Sequence, residues 1–157
     1  MLQLIPQKRG ALRILGIGAH SDDLEIGCGG TMLELIARPR PLDITWVVLS
    51  GMGSRGREAR ASARRFLKGA KRFDIRVSGF RDGYLPTQHA EVKDYFERLK
   101  REVSPDLIFT HGGQDLHQDH RLVSELTWNT FRDHMILEYE IVKYDGGLGS
   151  PNAFVPI

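Results

Sequence analysis

The stretch Leu12-Arg-Ile-Leu-Gly-Ile-Gly-Ala-His-Ser-Asp-Asp23 decides how the chain reads. Its first part, Leu12 to Ala19, is apolar, rich in Ile and Leu, and ends among glycines. That is the pattern of a buried strand running into a tight connection. Leu24 to Arg38 reads as a helix, ended by Pro39 and Pro41. Ile44 to Leu49, ITWVVL, is short, β-branched and almost wholly apolar, as a strand covered on both faces should be. Gly51 to Gly56 reads as a loop. A helix is expected from Glu58, with Ala59, Ala63, Phe66, Leu67 and Ala70 on one face.

Further along, Ile75 to Phe80 reads as a strand, and Asp82-Gly83 as a turn. Val92, Tyr95, Phe96, Leu99 and Val103 form a helical stripe stopped by Pro105. Leu107 to Thr110 is a strand, Leu122 to His134 a helix and Ile141 to Tyr144 a strand, with GGLGSPN as loop. Strands separated by helices predict an α/β fold, a Rossmann-like open and mostly parallel sheet with helices on both faces. Neither a repeat nor a linker is visible, so residues 1–157 read as a single catalytic domain. The apolar end, Ala-Phe-Val-Pro-Ile157, predicts that the natural protein continues into a C-terminal segment, since a chain end is usually polar and frayed.

Composition narrows the function. The 157 residues carry 22 Lys+Arg against 20 Asp+Glu, a net charge of +2. So small an excess argues against a protein built to hold nucleic acid, and no nucleic-acid partner is expected. A single cysteine, Cys28, excludes an internal disulfide and a Cys-based zinc module. No apolar run approaches the ~20 residues of a membrane span. At the N-terminus Lys8-Arg9 follows the apolar residues instead of preceding them, so no signal peptide is read and a cytoplasmic location is expected.

Two segments concentrate the chemistry: Ala19-His20-Ser21-Asp22-Asp23 after the first strand, and His111 to His120, HGGQDLHQDH, after the fourth. Four of the six histidines and four aspartates fall in them. In open α/β sheets ligands bind at strand carboxyl ends where the strand order reverses. With a strand order of 3-2-1-4-5, these two segments would face each other across that crevice. Imidazole and carboxylate suit a divalent ion such as Zn²⁺, and a hydrolytic site needs three protein ligands, an open position and a separate base. Of the adjacent pair Asp22 and Asp23, one can bind the ion while the other handles protons. His117, Asp119 and His120 can supply a ligand, an acid and a residue that orients the acid.

Blander readings stand beside these. Asp22-Asp23 could cap the helix that follows, and Asp119 and His120 the later one. His111 could be a satisfied polar residue at a strand end. His89 and His134 read as surface or packing residues, and Cys28 as a small buried one. Gly16-x-Gly18 lacks the third glycine of a dinucleotide fingerprint, and no phosphate loop or nucleophile elbow is present. The stretch Arg55 to Arg72, with eight cations against Glu58, reads as a solvated face or, alternatively, an RNA- or phosphate-binding module.

The residues Ala19 to Gly30, AHSDDLEIGCGG, together with His117 to His120, HQDH, resemble the two signatures of the PIG-L/LmbE-like de-N-acetylase family. Arg55-x-x-Glu58-Ala59, Asp82-Gly83, and the later YEI and PNAFVPI segments are similar to that family as well, so the resemblance runs over nearly the whole chain. Ser21 stands where the family usually has proline, and family members usually extend beyond the PNAFVPI-like segment. The resemblance implies a Rossmann-like fold and His20, Asp23 and His120 as ligands of Zn²⁺; two histidines and a carboxylate also suit Fe²⁺. It implies Asp22 as general base and His117 as the group that stabilises the oxyanion or protonates the amine, with Asp119 orienting and charging His117. Arg55 and Asp82 are implied to hold the substrate. The activity implied is removal of the acetyl group from an N-acetylated amino sugar, a GlcNAc-type conjugate. The alternative is an inactive sugar- or nucleotide-binding domain. The sequence leaves oligomerisation open.

Overall fold

The computed structural model describes residues 10–143 and 149–157. Its elements are β1 (Leu12–Gly18), α1 (Asp23–Ala37), β2 (Leu42–Val48), α2 (Gly53–Phe66), β3 (Arg72–Val77), α3 (His89–Glu102), β4 (Leu107–His111), α4 (Gln118–Thr130) and β5 (Ile136–Tyr139), with one short 3-10 turn at Leu85–Gln88 before α3. The five strands form one sheet in the order β3-β2-β1-β4-β5, and all the pairs between them are parallel. The expected fold class holds, and the sheet has the strand order under which the two His/Asp segments face each other. The order reverses between β1 and β4, so these central neighbours flank the switch point.

Alternation along the strands sorts the core onto two faces, because successive side chains point to opposite sides of a sheet. Leu12 and Ile14 of β1, with Ile44, Trp46 and Val48, pack with Leu24, Cys28 and Met32 of α1 and Ala63 of α2. Leu15 and Ile17, with Val47, Leu49 and Ile108, pack with Val92, Phe96 and Leu99 of α3 and Val123 and Leu126 of α4. A strand buried on both faces explains why LRILGIG shows no polar alternation. Gly27 has a local reason of its own. A Cβ there would run into the Tyr139 ring, so only glycine lets the start of α1 close on β5. The Tyr139 hydroxyl then donates to the Ile17 carbonyl (2.8 Å), tying β5 across to β1.

Several boundaries differ from the sequence reading. Helix α2 begins at Gly53, inside the stretch read as a loop. Gly56 packs so closely on the Gly51 carbonyl that a side chain would clash, so here glycine serves close packing within a first helical turn. Strand β3 lies three residues earlier than expected; it is a sheet edge, and its exposed Arg72, Phe73 and Asp74 hide the apolar signal. Helix α4 starts at Gln118 and not at Leu122, because HQDH is itself its first turn. The fifth strand is Ile136–Tyr139, just after the stretch assigned to the preceding helix. Ile141 to Lys143 are not strand, and Tyr144 lies outside the described residues, as does most of the N-terminal stretch read for a signal. Among the described residues no helix is long and apolar enough to cross a membrane.

Candidate metal centre and active site

The site is assembled from the carboxyl ends of β1 and β4. The chain leaves β1 at Gly18 and turns into α1 at Asp23. That turn is held by Asp23, whose Oδ2 accepts the His20 backbone N–H at 2.7 Å. Asp22 is the N-cap residue of α1, yet its side chain makes no cap hydrogen bond and stands exposed beside buried Asp23. Across the crevice, Asp115 Oδ1 accepts the His117 backbone N–H (2.7 Å) and shapes the turn into α4. His117 is the N-cap there, its Nδ1 accepting from the Asp119 N–H at 3.2 Å. Neither Asp22 nor Asp119 therefore serves as a side-chain cap.

Three groups converge at the centre. His20 Nδ1 and His120 Nε2 lie 3.1 Å apart. Asp23 brings Oδ2 to 3.3 Å from His20 Nδ1, and Oδ1 to 3.4 Å from His120 Nε2. Ligands at Zn²⁺ bond lengths of ~2.0–2.1 Å sit ~3.3–3.4 Å apart along the edges of a tetrahedron, so the spacing fits such an ion. The far nitrogens fit it too. His20 Nε2 meets Asp119 Oδ2 at 3.2 Å, and His120 Nδ1 meets Asp115 Oδ2 at 2.8 Å. A carboxylate on the outer nitrogen fixes the tautomer and leaves the inner nitrogen as a lone pair aimed inward, the usual support of a metal-binding histidine. Among the described residues three overlapping groups keep their donor atoms within 4.8 Å of one another: His20 with His117 and His120, His120 with Asp23 and His111, and His20 with Asp82 and Asp119.

The electrostatics call for a cation. Burial raises the carboxyl pKa of Asp23, but the surrounding His111, His120 and His20 rings outweigh it and hold the group ionised. Asp115 is lowered to about 2, burial being outweighed by Lys143 and His120. Asp119 is lowered as well, against burial, by His20 and by the Gly83 and Leu85 amides. In the metal-free protein a proton answers these charges. Burial pushes His20 down, yet Asp119 and Asp23 pull it up to about 10. His120 is raised against burial by Asp23 and Asp115. His117 goes the other way, lowered by burial and by the charges of His120 and His20.

Seven of the eight expected site residues lie in one linked set. Asp82 Oδ1 is 3.4 Å from His20 Nε2 at the rim, and Arg55 Nη1 donates to Asp82 Oδ2 at 3.1 Å. Asp22 is placed next to this set, exposed where its neighbour Asp23 is buried. One partnership differs from the expectation. The Asp119 carboxylate holds His20 and accepts the N–H groups of Gly83 (2.8 Å) and Leu85 (3.1 Å); only its backbone N–H meets His117. The reason is steric order: Asp119 begins the inner face of α4 and turns toward the 82–85 loop, whereas His117 precedes the helix. Three contributors were not foreseen: Asp115 behind His120, His111 behind Asp23, and the two amides of the 83–85 turn. The Asp-x-His turn at 115–117 carried a local signal. His111 and the amides are brought in only by tertiary pairing.

A sequence model of the family described as PIG-L, GlcNAc-PI de-N-acetylase, matches residues 15–131. Among solved structures the chain is similar to a conserved protein from Thermus thermophilus, at 28% identity and a TM-score of 0.55, over 76% of this chain and 55% of that one. It is similar to the N,N'-diacetylchitobiose deacetylase of Pyrococcus horikoshii, solved with an inhibitor, at 26% identity and a TM-score of 0.57, over 76% of this chain and 49% of that one. The chain thus spans about half the length of these two proteins. A deacetylase of teicoplanin biosynthesis shares the fold at 17% identity and a TM-score of 0.66, over 88% of this chain and 72% of that one.

Proposed function

The chain belongs to the PIG-L family, and on that footing we propose that it is a divalent-metal-dependent N-deacetylase, which removes acetate from an N-acetylated amino sugar of GlcNAc type. The observation that carries this reading is the centre itself: three donor groups at tetrahedral spacing, with each imidazole backed by its own carboxylate. His20, Asp23 and His120 hold the ion. Zn²⁺ fits the donor set best, and Fe²⁺ suits it too. Bound there, the ion supplies the Lewis acidity that polarises an amide carbonyl and makes water nucleophilic near neutral pH.

The proton work belongs to the chain. Asp22, exposed beside a ligand, accepts the proton of the attacking water as the new C–O bond forms. His117, with Nδ1 taken by the Asp119 N–H and its pKa lowered, acts as a neutral imidazole whose Nε2–H meets the oxygen where negative charge develops. As the C–N bond breaks, the proton held by Asp22 passes to the departing nitrogen, and acetate and a free amine leave. Asp119 keeps His20 in place. At the rim, Asp82 accepts from sugar hydroxyls, and Arg55 suits an anionic substituent such as a phosphate or another hydroxyl. This reading assigns the whole reaction to one catalytic domain and requires neither nucleic acid nor a second chain.

The test is elemental analysis of protein purified without chelators, combined with amine release from N-acetylglucosamine conjugates. About one metal per chain is expected, as three ligands and an open position require. Asp22→Asn should keep that metal and lose roughly 10²–10⁴-fold in turnover. Protein free of metal under those conditions, or an Asn variant as active as the parent, would sink the reading.

A further inference from the structure

His111 takes no part in the reaction above, yet its ring touches every segment that carries a metal ligand. It ends β4 and is fully buried. Its Nε2 accepts the Ala19 backbone N–H at 3.1 Å, which fixes the peptide leading into His20. The same nitrogen lies 3.1 Å from Asp23 Oδ2. The ring stacks on His120, with centroids 3.8 Å apart and planes 14° from parallel. Its other nitrogen, Nδ1, is buried among the described residues with no hydrogen-bond partner. A ring kept only to fill space would be better served by phenylalanine, which leaves no polar atom unsatisfied. Histidine at this position therefore answers a requirement at Nε2.

We infer that His111 is a positioning residue of the metal centre, which holds the Ala19–His20 peptide in register through Nε2 and supports the His120 ring from behind. It binds no ion itself. Its Nε2 lone pair is already taken by the Ala19 backbone N–H. What it contributes is the pre-set distance among three ligands that come from two strand ends and two helices. The inference rests on the metal-centre reading, and the experiment separates the two.

Zn²⁺ affinity is measured by competition with a chromophoric chelator for the parent, His111→Phe and His111→Gln. The Co²⁺ d–d spectrum and the melting temperature of the metal-free protein are recorded for each. The phenylalanine variant keeps the stack and removes both nitrogens. It should bind Zn²⁺ 10–100-fold more weakly, the range found for groups that orient ligands, with an altered Co²⁺ spectrum. Its metal-free melting temperature should equal or exceed that of the parent. Glutamine can accept the Ala19 N–H through Oε1, the role His111 Nε2 plays, so it should restore affinity to within a few-fold and return the parental spectrum. Parental Zn²⁺ affinity in the phenylalanine variant overturns the inference, as does equal loss in both variants. So does a phenylalanine variant that no longer folds without metal, since His111 would then be a core determinant. Failure of the parent itself to bind Zn²⁺ would instead overturn the metal-centre reading.

Discussion

Two regions of this molecule are rich in ionisable groups, and they use them in opposite ways. At the carboxyl ends of β1 and β4, Asp23, Asp119 and His120 are buried and partnered within the site, with His111 buried among them. Along α2 and the connection to β3, Arg57, Arg64, Arg65, Lys68, Lys71 and Arg72 stand exposed to water. Linear charge density is higher in the second region. Chemistry is concentrated in the first, because removing charges from water is expensive unless each finds a partner. The contrast sharpens into three measurements.

The largest effect belongs to Asp115, which no motif singled out. It holds His120 Nδ1 at 2.8 Å and Lys143 Nζ at 2.9 Å. Asp115→Asn keeps the shape but removes the charge that sets the His120 tautomer. Zn²⁺ affinity should drop 10–100-fold while the ligands themselves stay intact. Isothermal titration would measure it, and an unchanged affinity would mean that His120 needs no carboxylate on its outer nitrogen.

Next comes the proton that stands in for the metal. In the metal-free protein His20 is raised to about 10, so its stabilising contribution is complete below about 6.5 and is lost as pH rises through about 10. The metal-free melting temperature should therefore fall by roughly 7–14 °C between pH 7 and pH 10, at the sensitivity of a domain this size. Bound Zn²⁺ replaces the proton and should flatten that slope. A metal-free protein indifferent to pH in this range would show that His20 is not held as an imidazolium.

How legible was this in the sequence? The central strands were, because strands buried on both faces have an unmistakable apolar run, as ITWVVL shows, whereas their order in the sheet entered only as a supposition. That His20, Asp23 and His120 converge was legible through the two signatures that resemble the family. Strand β5 was not: ILEY has four residues, one of them Glu138, and it follows a helix whose start was misplaced because HQDH carries catalytic and helical information in the same letters. The partner of the Asp119 carboxylate is hidden for a related reason. Sequence proximity favours His117, two residues away, whereas the helix turns the carboxylate toward His20, 99 residues distant. Tertiary pairing, absent from any local window, decides both His111 and the amides of the 83–85 turn.

The smallest effect tests the basic region from within, because one of its arginines is unlike the rest. Arg60 is partly buried and donates from Nη1 to the Ile75 carbonyl (3.0 Å) and from Nη2 to the Val77 carbonyl (3.2 Å). Its planar fork thereby ties α2 to the edge strand β3. Arg60→Met should cost about 1–2 kcal/mol, since two charge-assisted hydrogen bonds are lost at a half-solvated position and the carbonyls left behind can recover water. That is a fall of roughly 2–8 °C in melting temperature. The combined change of Arg57, Arg64 and Arg65 to Gln removes more charge but no such contact. Each substitution should stay within about 0.5 kcal/mol, and amine release should be unaltered. Were the triple variant instead to lose deacetylation, the exposed face would belong to the site. The separation between a buried region that reacts and a solvated region that does not would then fail.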